Sequence, residues 1–235
     1  MSGCTSCSSK GGCDSRKDDQ RLVIAEVLRR VYLDQPPVWG RLDDEAAFAA
    51  GPTRREKKQL GRALAAALGA PTFFRPGEPA DLCDYLYVLC LGRRPALVEL
   101  LDGAGELPEE LAGLPRGAGT PIDERYLRVA FSTLGRLVTV QEVAMTLVAD
   151  EGALTLRERP RPGVYDPPLL PRVQRLLAEL ARHDLTHLDF GLLDRPVDGP
   201  PSLAYESRFG SPVAVANLLF FAAPPTTARE IVVAT

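Results

Sequence analysis

Apolar positions change period several times along the chain, and each change marks an expected element. From Asp18, the residues Val23, Ile24, Val27, Leu28 and Val31 recur at helical spacing, with Arg29 and Arg30 near the end that favours cations. The stretch DQPPVWG ends this helix, because adjacent prolines interrupt the hydrogen-bond ladder. A second helix is predicted over residues 54–68. Thr53 and Glu56 have capping-box spacing, and Leu60, Leu64 and Leu68 form a stripe with Ala63 and Ala67 alongside. Gly69 supplies a left-handed stop, and Pro71 prevents continuation.

The period then shortens. YLYVLCL (85–91) and ALVELL (96–101), joined by Gly-Arg-Arg-Pro, predict two strands with a tight connection. After a Gly/Pro-rich loop (102–121), RYLRVAFST alternates. Leu127, Val129 and Phe131 fall on one face, Arg128, Ala130 and Ser132 on the other. RLVTVQEVAMTLV (136–148) continues the pattern through Val138, Val140 and Val143, and ALTLRER (153–159) is a further short strand. This succession is the meander of an antiparallel sheet.

Helical spacing returns with Val173, Leu176, Leu177 and Leu180. Asp166-Pro167 suits an N-cap and first turn, with Pro171 able to delay the true start. SPVAVANLLFFAAPP (211–225) is ambiguous: its apolar run suits a buried strand, but a Ser-Pro start and a Pro-Pro stop favour a helix, and EIVVAT (230–235) reads as an edge strand. The fold class is therefore α+β: an antiparallel sheet of about five strands with packing helices, preceded by a Cys-rich flexible tail. Residues 1–17 form the tail and 18–235 a single domain. That domain has an N-terminal helical part (18–75), a sheet (82–160) and C-terminal helices (166–222).

Composition adds bounds. A chain of 235 residues, 45% hydrophobic and 25% charged, has the make-up of an ordinary soluble protein with its own core. A net charge of −3 speaks against nucleic-acid or anionic-membrane partners, and Arg54, Arg55, Lys57 and Lys58 read as a solvated helix face. No apolar run approaches the ~20 residues of a membrane span, so no membrane insertion is expected. The opening residues also lack the apolar region of a secretory signal. The expected location is cytoplasmic, with reduced cysteines. The 21 prolines and heavy use of Ala, Leu, Arg and Gly suit a GC-rich bacterial source.

The most specific chemistry lies at the start, MSGCTSCSSKGGCDS, where three of the five cysteines have the spacing C-x2-C-x5-C. Thiolates two residues apart can hold one metal from a single turn. Gly11 and Gly12 allow a bend before Cys13, and Lys10, Arg16 and Lys17 favour the ionised thiolates. The expected ligands are Cys4, Cys7 and Cys13, holding an iron–sulphur cluster or zinc. A fourth ligand would come from Cys83 or Cys90, from Asp14, or from a second chain. In their apolar strand, Cys83 and Cys90 read first as buried core thiols.

His183 and His187 are four apart, beside Asp184 and Asp189, the spacing at which one helix can present two imidazoles to a metal. Thr186 and the alternation after it instead predict that the helix has ended, leaving a histidine as an ordinary C-terminal cation. The Gly-rich phosphate loops and the G-x-S-x-G elbow do not occur. PPVWG around Trp39 and FAAPPTT read as turn and packing segments. No catalytic residue is assigned. The function expected is that of a non-enzymatic regulatory or adaptor protein, a bacterial signalling accessory acting on another protein, with an N-terminal Cys metal or redox element. The alternative is an iron–sulphur electron-transfer or redox-sensing protein. A third reading is a metal-dependent hydrolase using His183 and His187.

Overall fold

The computed structural model describes residues 11–33, 50–77, 82–91, 122–150, 153–197, 212–221 and 226–234. Helix α1 spans Gly11–Leu28 and widens into a π turn over Arg29–Leu33. It buries Ile24, Val27 and the polar Gln20. It begins ahead of the expected Asp18, and Cys13 is its third residue. The scarcity of apolar side chains there limits burial but not helicity, and Arg21 pairs with Asp18 at 3.0 Å across one turn.

Helix α2 (Arg54–Leu68) follows its sequence signals. Glu56 N donates to Thr53 Oγ1 at 3.2 Å and Thr53 N donates to Glu56 Oε2 at 2.7 Å. Gly69 ends the helix at φ 58°, a conformation that costs a side chain far more than it costs glycine. Leu60, Leu64 and Leu68 are buried. Gly61 lets α2 lie close on the sheet, since a Cβ there would stand 3.2 Å from Leu86 Cδ1.

The strands are β1 (Thr72–Arg75), β2 (Cys83–Leu91), β3 (Ile122–Ser132), β4 (Leu137–Asp150), β5 (Ala153–Pro162), β6 (Thr186–His187) and β7 (Arg229–Ala234). Six form an antiparallel sheet in the order β1-β2-β3-β4-β5-β7, and β6 pairs in parallel with the start of β4. The expected antiparallel meander is present in β3, β4 and β5, but the sheet has seven strands rather than about five. β1 lies inside the segment expected to be helical, and β6 inside the C-terminal helical part.

The ALVELL strand lies outside the described residues. Over Tyr85–Val88, β2 already has β1 on one side and β3 on the other, so no third strand can pair there. The register of β2 shifts between Leu89 and Leu91, a bulge at Cys90. β7 takes the edge position expected for EIVVAT and pairs with β5 only from Ala153 to Glu158. Pro160 and Pro162 lie beyond the last β7 partner of β5, and among the described residues no strand needs a donor from them on that side.

Pro167–Leu169 make a 3-10 turn that leads into α3 (Leu170–Arg182), with Pro171 in its first turn. Asp166 makes no side-chain cap. The predicted C-terminal helix shrinks to five residues, α5 (Val215–Leu219), following the single turn α4 (Phe190–Leu193). Among the described residues no helix is long and apolar enough to cross a membrane.

Helices cover both faces of the sheet. On one face Leu127, Val129, Phe131, Val138 and Val140 join the stripes of α2 and α3. On the other, Tyr85, Tyr87, Tyr126, Val143 and Met145 join Ile24 and Val27 of α1 and apolar residues of α4 and α5. The alternation in β3 thus separates two interiors, and Arg128 faces one of them at 1% exposure.

Candidate functional site

Among the described residues, three regions gather interacting polar groups that could carry chemistry. The first lies in the interior beneath α1, where β3, β4 and β5 bring Arg128, Gln141 and Glu158 together. Arg128 stands opposite Gln141 in the β3–β4 register. Its Nε and Nη2 donate to Gln141 Oε1 at 3.1 and 2.7 Å, and its Nη1 donates to Glu158 Oε2 at 3.2 Å. Tyr126 donates its hydroxyl to Glu158 Oε1 at 3.0 Å. The guanidinium carbon lies 5.0 Å from the centroid of the Tyr85 ring, within cation–π range.

Arg128 and Glu158 are buried as a pair, because either charge alone would be expensive in that interior. Burial pushes the Tyr87 hydroxyl up to about 12, and Glu158 adds to the effect. Tyr126 is raised by burial first and by Glu158 second, so both hydroxyls stay neutral and Tyr126 keeps the proton it donates to Glu158. Thr139 Oγ1 and Gln141 Nε2, two residues apart on the same face of β4, have no hydrogen-bond partner among the described residues.

The opposite face of the sheet holds a second, part-exposed network around the buried Glu142, one residue along. Glu142 accepts from Asp166 N at 2.7 Å and from Arg161 Nη1 at 2.8 Å. Arg161 also donates to Asp166 Oδ1 at 2.7 Å, and Arg125 pairs with the same carboxylate. Two guanidiniums thus balance two carboxylates. The sequence reading missed both networks because alternating polar residues look like a solvent face. In the second network Glu142 stands opposite Arg161, a signal readable only once the β4–β5 register is known, whereas Arg128 and Glu158 lie on strands that are not neighbours.

The third region is a crevice between α2 and the end of α3, lined by Glu56, Lys57, Arg136 and His183. Hydrogen bonds from Thr53, then from Arg136, hold the Glu56 carboxyl down to about 2. Arg136 Nε and Nη2 donate to the carbonyls of Asp184 and His183, tying off the end of α3. Lys57 Nζ is paired with Asp84. At about 50 Å³ the crevice is far smaller than a metabolite pocket.

Of the residues expected to bind metal, Cys4 and Cys7 lie outside the described residues, and Cys13 is the third residue of α1. Cys83 is buried in the core beneath α1, as expected for a core thiol, and Cys90 sits at the bulge of β2. His183 caps α3, with Nε2 3.6 Å from Glu179 Oε1. Asp184 then turns left-handed at φ 55°, and His187 belongs to β6, Nδ1 3.8 Å from Asp189 Oδ1. The helix has ended before His187, as the alternation predicted, so the two imidazoles do not share a helix face. Burial lowers the His187 pKa against the pull of Asp189. Among the described residues no group of three or more His, Cys, Asp or Glu is placed to hold a metal.

The fold and these networks define an α+β protein whose antiparallel sheet is covered on both faces. Comparison with family models, curated proteins and solved structures finds no match for the chain.

Proposed function

We propose that the protein is a non-enzymatic regulatory or adaptor protein acting on another protein, with Cys4, Cys7 and Cys13 as a metal or redox element. The observation that supports this reading is the placement of Cys13 in α1. Farther along the same helix, Gln20 Oε1 accepts from Asp189 N at 3.1 Å, and Ile24 and Val27 enter the core. At the end of the π turn's first residues, Arg30 Nη2 donates to Leu134 O at 2.5 Å. An ion or cluster gathered by the opening thiolates would therefore pull on a helix anchored to the sheet. Loss or oxidation of that group would alter the start of α1 while the core stays folded.

Anaerobic purification with an optical spectrum tests the nature of the group. Zinc leaves the visible range empty. A coloured centre that bleaches on reduction and recovers on reoxidation supports the electron-transfer or redox-sensing reading instead.

A further inference from the structure

The outer surface of α2 breaks two rules of helix electrostatics. Arg54, Arg55, Lys57 and Lys58 crowd the N-terminal half, where the helix dipole favours anions. Arg54, Lys58 and Arg62 also stand four residues apart, so like charges face one another along the row. Neither arrangement stabilises the helix, and such local conflicts concentrate at functional surfaces.

Among the described residues no free carboxylate cancels the charge. Glu56 is the one carboxylate of α2, and it is engaged by Thr53 and Arg136. Lys57 turns inward to Asp84. Arg54, Arg55, Lys58 and Arg62 are exposed, make no ion pair among the described residues and line one shallow concavity with Gln59. The capping box occupies the amide end of α2, so the row of side chains is the feature, not the helix terminus.

We propose that this row docks a short acidic segment of a partner protein. The partner class rests on the adaptor reading above. Four residues of helix rise about 6 Å, which matches carboxylates spaced i, i+4 on a partner helix or i, i+2 on a strand. The charge distribution favours a short segment over a long polyanion. α2 carries five cations and one carboxylate, a net of +4 in a chain of −3, so the remaining residues sum to −7. A nucleic acid extending beyond α2 would meet that acidic remainder.

The test uses the full chain and fluorescence anisotropy at low salt, with a labelled peptide carrying glutamate at every fourth position. Saturable binding that weakens with added salt is expected. Arg54→Glu with Lys58→Glu should weaken it by roughly tenfold or more, and Arg62→Gln by less. Lys58→Glu alone should raise the melting temperature, because it turns both like-charge contacts of the row, with Arg54 and with Arg62, into opposite-charge pairs. Arg172→Glu with Arg175→Glu on α3 changes the net charge as much as the double reversal on α2 and should leave peptide binding unchanged. Equal weakening by the two reversals, absence of peptide binding, or tighter binding of an oligonucleotide of equal charge would overturn the proposal. Cys7→Ser separates this surface from the metal element: peptide binding that survives loss of the metal supports the α2 assignment on its own.

Discussion

Arg128 is a long, charged side chain on an alternating strand, which ordinarily means solvent, yet it is one of the most buried residues in the molecule. Its pairing with Glu158 lets both charges stay inside. Arg128→Met leaves a buried carboxylate without its main partner and should cost about 3–5 kcal/mol, whereas Arg128→Met with Glu158→Leu should recover most of that loss. Denaturant titration measures both, and a single variant as stable as the wild type would contradict the pairing. The tyrosines beside the pair set the alkaline limit. Tyr87 ionises at 10 when unfolded and at about 12 when folded, so its contribution is complete below pH 10 and is lost as pH rises toward 12. Tyr126 acts in the same direction. Unfolding midpoints across that range should fall as tyrosinate absorbance rises. Ionisation of all six tyrosines near pH 10 without any loss of stability would show that these hydroxyls are not buried.

Elements differed in how legible they were. α2 was readable to its ends because its signals are local: Thr53 and Glu56 three apart, leucines at helical spacing, and Gly69 where the chain turns left-handed. Thr53→Ala should lower stability by about 1 kcal/mol through the lost cap. Leu64→Ala should lower it by about 2–5 kcal/mol, since Leu64 is fully buried beneath the helix. Equal, negligible effects on thermal or chemical unfolding would contradict this packing. β1 and β6, of four and two residues, carry too little pattern of their own and exist because β2 and β4 offer partners. The C-terminal apolar run was ambiguous for the opposite reason. Residues 213 and 215–221 are buried, so no alternation could show where α5 stops.

At the scale of the molecule, two helical layers enclose one sheet, with the Arg128–Glu158 pair buried on one side and the buried Glu142 carboxylate held by part-exposed arginines on the other. The α+β class and the central strands were legible from periodicity. The second covered face was not, because the strand pattern looks the same whether its polar side meets water or a buried partner. The Cys motif was legible as spacing, and the structure adds that Cys13 stands on a helix pinned at Gln20 and Arg30. The central claim is that the opening thiolates hold a metal-bearing element joined to this scaffold. Metal per chain after anaerobic purification, wild type against Cys7→Ser, tests it most directly. The wild type should carry up to about one equivalent of zinc, or the iron of a cluster. Cys7→Ser should lose most of that metal while keeping the wild-type unfolding transition. A wild-type chain without metal, or a Cys7→Ser chain carrying the same amount, would contradict the account.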